Sequence, residues 1–396
     1  MTDSEPPLLP VQRRESVLAE LRARGTLRVA DIARALGVST VTVRRDVAQL
    51  ADEGAIERVH GGIRLPRGGV AQPTAEDASA AAELDEADLP PVGMVVPSLD
   101  YYWPQVIRGA RDAAAEAGVR IVLRGSSYDD ADDMRRQTVW LMETVGIQGL
   151  LIAPPTTGES AAELIAWLGG LSVPVTFVER AATVGPFHEH VESVTTDHIF
   201  GAALAVRHLA AEGHRRVGFL ASSTSPHTQA VRRGWRETAE QIGLDLDGTP
   251  DVITPDYRDQ GWSARLDGFL DSCLATGTRA LLVHSDREAI SLVGRCQERG
   301  IRVPDDLAVV AFDDEVAGLC DPALTAVRPA KPTLGRTAVE LLAKRMHGDR
   351  DRPVHRIQIS PQLVIRDSSM LPERGLQQAM THALPQAQPH EAGIGG

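Results

Sequence analysis

Cysteine is scarce in this chain, with three in 396 residues, and Cys273, Cys296 and Cys320 stand far apart without a Cys-x-x-Cys pair. That rules out a disulfide-stapled secreted fold and suits free thiols in a reducing cytoplasm. No run approaches the ~20 apolar residues needed to cross a bilayer. The opening MTDSEPPLLPVQRRE lacks the apolar core of a signal peptide, so a cytoplasmic chain with no membrane partner is expected. Also missing are a Gly-x-Ser-x-Gly elbow, a Gly-x-x-x-x-Gly-Lys phosphate loop and a His-Glu-x-x-His motif. Without such a context the many Asp and Ser residues do not form a catalytic set, and neither an enzyme nor a bound cofactor is expected. His188-Glu189-His190 has a metal-like spacing but no third ligand near it in sequence, so it is read as a surface loop and no metal site is expected.

What is present suits two or three domains: 396 residues, 43% of them hydrophobic, are ample for packed cores. Charge is unevenly placed. From Val11 to Arg67 there are 11 basic and 7 acidic residues, a balance of +4, whereas the whole chain carries −13 and the remainder therefore −17. Basic charge is gathered where phosphates would sit, and an acidic body discourages loose adsorption to DNA.

Between Arg13 and Leu65 the pattern predicts three short helices and a tight hairpin. The first helix, about Arg13–Arg24, puts Val17, Leu18 and Leu21 on one face. A second, about Val29–Leu36, buries Ile32, Ala33 and Leu36 and is ended by Gly37. Ser39 or Thr40 caps a third, whose Val43, Val47 and Leu50 face inward. Its outer face carries Ser39, Thr40, Thr42, Arg44 and Arg45, the hydroxyls and guanidiniums that suit a major groove. Gly61-Gly62 is expected to form the hairpin turn, since adjacent glycines permit positive φ. The run Val38-Ser-Thr-Val-Thr-Val-Arg-Arg-Asp46, the Leu50…Glu53-Gly54 turn and Arg58-Val-His-Gly-Gly62 together resemble the DNA-binding head of DeoR-type bacterial repressors. The resemblance implies a winged helix-turn-helix whose third helix reads bases, with Arg58, His60 and Gly61 in a wing beside the phosphates.

Gly68 to Pro91 holds six acidic residues and no basic one, so 68–91 is expected to be a flexible tether between a head (1–67) and a body (92–370). A Gln-, Ala-, Pro- and His-rich tail (371–396) is expected to be disordered. Within the body, apolar strands at 92–96, 120–123, 149–153, 173–178, 216–220, 280–283 and 307–312 alternate with amphipathic helices at 103–116, 132–145, 199–212, 229–242, 262–275, 286–297 and 333–346. Such alternation means parallel sheets covered on both faces, here an α/β body of two lobes with a ligand site at the strand carboxyl ends.

Val92-Gly-Met-Val-Val-Pro-Ser-Leu-Asp-Tyr-Tyr-Trp103, Val173–Arg180, Val194–Asp197, His208–Leu220, Val303–Asp314 and Pro322–Arg328 resemble, in order, the cores of lactose/ribose-type repressors and periplasmic sugar-binding proteins. The resemblance implies a periplasmic-binding-protein-like core closing over a small effector, a sugar, and a homodimer on a double-stranded DNA operator. It also implies an aromatic wall at Tyr101, Tyr102 or Trp103, polar ligands at Glu179-Arg180 and Asp313, and a polar pair at Ser285-Asp286. The family's Arg slot before Gly234-Trp235 holds Val231, with Arg233 standing beside it, and its late Gln is Pro329. The lactose-repressor family carries another head and a basic hinge helix, which the acidic tether lacks. The expectation is a ligand-responsive regulator, a repressor, of hybrid construction. The rivals are a sugar-binding module whose winged helix makes protein contacts and an enzyme with a regulatory head.

Overall fold

A computed structural model describes residues 26–27, 32, 43, 47, 56–59, 62–64, 88–128, 130–182, 191–348 and 352–370. The chain divides into two compact units, Met1–Glu83 and Leu84–Gly396. In the first, Ile32, Val43 and Val47 are helical and buried, as their inward spacing predicts, and Ile56 is buried with them. Three short strands, β1 (Thr26–Leu27), β2 (Glu57–Val59) and β3 (Gly62–Arg64), form an antiparallel sheet in the order β1-β3-β2. The wing hairpin is therefore present, but its register corrects the expected turn. Gly62 pairs with Val59 and belongs to the returning strand, so Gly61-Gly62 is not the turn pair. Strand β1 was not expected, being only two residues long. The rest of the three expected helices, the tether before Asp88, His188–His190 and the tail lie outside the described residues.

The second unit has two lobes, each a six-stranded sheet. Lobe 1 orders its strands β14-β8-β7-β6-β4-β5. These are β4 (Pro91–Val96), β5 (Arg120–Gly125), β6 (Gly149–Ile152), β7 (Val175–Val178), β8 (Glu192–Thr196) and β14 (Arg356–Ile359). Its helices are α1 (Trp103–Glu116), α2 (Ala131–Trp140), α3 (Glu159–Gly169) and α8 (Lys331–Met346). Lobe 2 orders its strands β10-β9-β11-β12-β13-β15. They are β9 (Gly218–Ser222), β10 (Asp251–Thr254), β11 (Ala280–His284), β12 (Ala308–Phe312), β13 (Thr325–Arg328) and β15 (Gln362–Val364). Its helices are α4 (His198–Ala211), α5 (Thr228–Gln241), α6 (Trp262–Thr276) and α7 (Asp286–Glu298). All pairings are parallel except β13 with β15, which run antiparallel.

Half of these twelve strands are buried along their whole length, which is why β6, β11 and β12 read as continuous apolar runs. The chain crosses between the lobes three times, from β8 into α4, from β13 into α8 and from β14 into β15. Helix α8 returns to lobe 1, where Leu334, Ala338, Val339, Leu341 and Leu342 join the core with α1 and β4. The two helices meet backbone to backbone. A Cβ built on Gly109 would lie 2.0 Å from the Pro332 carbonyl oxygen, and one on Gly335 would lie 2.0 Å from the Val106 carbonyl oxygen. Backbone cannot yield as a flexible side chain can. Gly109→Ala is thus expected to force α1 and α8 apart and to destabilise the core by about 1–3 kcal/mol or more, read as a lower urea midpoint. An unchanged midpoint would contradict this packing.

Candidate ligand-binding cleft

Between the lobes lies a cavity of about 590 Å³, within the ~300–1,000 Å³ common for small-molecule sites. Every group around it follows the carboxyl end of a strand, where parallel sheets leave their open edge. Lobe 1 contributes Tyr101–Trp103 after β4, Ser126–Tyr128 after β5, and Glu179-Arg180 after β7. Lobe 2 contributes His227 beyond β9, Asp256–Arg258 beyond β10, His284, Ser285 and Arg287 around the end of β11, and Asp313 after β12.

The aromatic wall is held by hydrogen bonds. Trp103 is almost fully buried, and its indole N–H donates to the Tyr128 hydroxyl at 3.0 Å. The Tyr102 hydroxyl donates to Glu179 Oε1. The Glu179 carboxylate also accepts from the Thr196 N–H at 3.0 Å and the Thr196 hydroxyl at 2.5 Å, with His198 Nε2 at 3.5 Å. Burial alone would push this carboxyl up, but His198 and the Thr196 bonds outweigh it and bring it down to about 2. Glu179 is thus a saturated anion that fixes Tyr102 and the first crossing.

Arg180 is different. The residue is 5% exposed, and its guanidinium donates to the Glu179 carbonyl at 2.7 Å and lies 3.1 Å from His227 Nε2. A guanidinium only donates, so His227 accepts at Nε2 and is neutral. Burial keeps the imidazole of His227 well below its ordinary value, and that of His284 at about 3. Arg180 Nε is buried with no hydrogen-bond partner. Asp313 holds a positive φ of 102° and is buried, and no described group hydrogen-bonds its carboxyl. Burial, then the neighbouring Asp286, push that carboxyl well above its usual range, with Lys331 opposing. Lys331 donates to the Asp313 carbonyl and pairs with Glu315 Oε1 at 2.7 Å. Glu315 in turn accepts from Gln105 of α1 at 3.2 Å, a direct link from lobe 2 to lobe 1.

Seven of the nine expected ligand positions line the cavity: Tyr101, Tyr102, Trp103, Glu179, Arg180, Ser285 and Asp313. Two do not. Arg233 sits on the exposed face of α5 and pairs with Glu237 at 2.7 Å, because the residue inward at that turn is the buried Val231. Asp286 is turned away from the cavity, its carboxylate accepting the N–H groups of Asp314, Glu315, Val316 and Ala317. Tyr128, His227, Arg287 and the Asp256–Arg258 loop were missed, although their place just beyond strand ends was the available signal. Of the expected DNA contacts, Ser39, Thr40, Thr42, Arg44, Arg45, His60 and Gly61 lie outside the described residues, and Arg58 lies in β2 opposite Ile63.

Glu179, His198 and His227 are the one described group of possible metal ligands, their atoms within 4.8 Å of one another. The two imidazoles stack at 3.9 Å and 21°, so their in-plane lone pairs run side by side instead of converging. With Glu179 saturated and Arg180 adjacent, the cluster fits a hydrogen-bonded floor better than a cation site.

Residues 13–67 match the DeoR-like helix-turn-helix domain, and residues 206–369 match the periplasmic binding protein-like domain. The chain joins a DeoR-like head to a periplasmic binding protein-like core. Curated relatives include repressors. One is the HTH-type transcriptional repressor PurR of Photobacterium profundum, 23% identical and covering 86% of this chain and 98% of the relative. Another is the ribose operon repressor of Escherichia coli, 24% identical with the same coverage. Among solved structures, the transcriptional regulator CelR in complex with cellobiose superposes with a TM-score of 0.60 at 22% identity. It covers 84% of this chain and 91% of that one. The hybrid of DeoR-like head and two-lobed core therefore stands, and no described helix is long and apolar enough to cross a membrane.

Proposed function

We propose that the chain is a DNA-binding transcriptional repressor, not an enzyme, whose operator affinity is set by a sugar-class effector in the cleft. The observation that carries this is the cleft itself. Rings at its wall suit the C–H face of a sugar, while Arg180 and Asp313, one from each lobe, offer a donor and an acceptor to its hydroxyls. A ligand touching both lobes favours their closed arrangement, and that differential affinity is what shifts the population of a regulator. The third helix of the head, with Ser39, Thr40, Thr42, Arg44 and Arg45, reads the operator, and Arg58, His60 and Gly61 meet the backbone. The protein acts in the cytoplasm as a homodimer on a two-fold operator.

The test is a salt titration of the full chain on its own promoter DNA, with and without a panel of sugars. Operator binding should weaken steeply with salt, in keeping with counterion release, and one sugar should change it. Binding to a protein partner with no salt-dependent DNA binding would favour a protein-contact role for the winged helix. Turnover of a sugar would favour an enzyme.

A further inference from the structure

Charge pairing inside the cleft narrows the effector further, on the premise that this cleft is the effector site. Five carboxylates line it, namely Asp100, Glu179, Asp256, Glu288 and Asp313, yet most are already engaged. Glu179 is saturated as described above. Asp256 is paired with Arg258 at 2.8 Å. Glu288 is tied into the first turn of α7, accepting from the Ser285 N–H at 3.0 Å and hydroxyl at 2.8 Å. Asp100 lies on the exposed rim.

On the cationic side the balance is reversed. Arg180 has no carboxylate within ion-pair distance among the described residues, and its buried neighbour His227 is a neutral acceptor. Arg287 lies over the Tyr101 ring at 4.3 Å and likewise makes no ion pair among the described residues. Tyr128 lies within electrostatic reach of both guanidiniums. Because its hydroxyl oxygen already accepts from Trp103, the hydroxyl hydrogen is left to donate. A buried guanidinium without a counter-charge is costly. Arg180, Arg287 and Tyr128 therefore offer a set of donors to an anion, with the Asp313 carboxyl also within electrostatic reach of Tyr128.

We infer that the effector is a sugar acid, a polyol bearing a single carboxylate, held by Arg180, Arg287 and Tyr128, with its hydroxyls directed to Asp313. A monoanion is matched by this set. A phosphate dianion would bring its second charge within reach of the Asp313 carboxyl, which no described group hydrogen-bonds.

Calorimetry on the full chain tests this with matched pairs at fixed ionic strength: gluconate against glucose, galacturonate against galactose, and glucose 6-phosphate as the dianion. At least one acid should bind, about ten- to a hundredfold more tightly than its neutral partner, the range expected for charge-assisted hydrogen bonds. Arg180→Gln should bring the acid down to the affinity of the neutral sugar. Arg287→Gln, at a partly exposed position, should do so in part. Neutral sugars binding as tightly as their acids and altering operator binding would overturn the charge assignment while leaving sugar control intact. Tighter binding of the phosphate, or no binding by any acid in the panel, would overturn it too. Acid binding untouched by both substitutions would also sink it.

Discussion

Replacing Arg44 and Arg45 together by alanine is expected to remove specific operator recognition while leaving the effector cleft intact. The sequence pattern assigns both, one after the other, to the outward positions of the expected third helix, with Ser39, Thr40 and Thr42, inside the stretch that matches the DeoR-like domain. Each arginine that reads a guanine edge contributes about 1–3 kcal/mol and its loss relaxes sequence preference. Each that holds a phosphate lowers affinity on every sequence and makes the salt slope shallower. Fluorescence anisotropy on operator and scrambled duplexes across a salt series separates the two roles. Calorimetry on the same variant should show normal effector binding, because the cleft belongs wholly to the second compact unit. Wild-type operator affinity in the double variant would move the reading surface elsewhere.

The second large effect is expected at Asp313, where function and stability pull in opposite directions. Asp313→Asn should weaken effector binding by about 0.5–1.5 kcal/mol, since the amide cannot offer ligand hydroxyls the two oxygens of the carboxyl. A repressor so altered would no longer change its operator binding in response to its effector. Without ligand, the same variant should be the more stable protein at neutral pH. The Asp313 carboxyl is held above its usual range by burial and by Asp286, so the folded chain keeps a proton that the unfolded chain sheds. Wild-type stability therefore falls as pH climbs from the ordinary carboxyl range towards the raised folded value, and levels off beyond it. Asparagine has no such fall. Urea midpoints of both proteins should converge at low pH and separate as pH rises. Identical pH profiles together with unchanged effector affinity would show that Asp313 is neither strained nor used.

Much of this was legible in the residues. The span of α1 was read at both ends, since Pro104 suits a first turn and the apolar residues keep a helical period to Glu116. The expected 132–145 helix is α2 followed by a π-helical turn at Leu141–Val145, a change that apolar spacing does not signal. Strand β8 escaped notice as a strand because Glu192 and three hydroxyl residues make it look like loop. In the fold Glu192 is buried against Arg345 and Arg352, partners more than 150 positions away. Missing β10 meant missing Asp256–Arg258, because a strand end has to be located before its loop can be assigned to the cleft. Arg233 was chosen for its nearness to a family slot, but a helix turns through about 100° per residue. Val231 faces the core, and two steps on the side chain is in solvent. Asp286 followed Ser285 into the expected site, although one step into α7 turned its carboxylate toward four amides of the next loop.

The three crossings have a consequence for how the protein is made. Lobe 1 is not finished by its own first stretch of chain, since α8 and β14, which cover its core and close its sheet edge, are translated after almost all of lobe 2. A ribosome that has delivered everything up to β13 therefore carries two incomplete halves, one lacking a covering helix and an edge strand and the other lacking β15. Neither half can be released early as a self-sufficient product. A premature stop between β4 and about residue 364 should leave an incomplete, degradable body, and limited proteolysis should fail to excise either lobe intact.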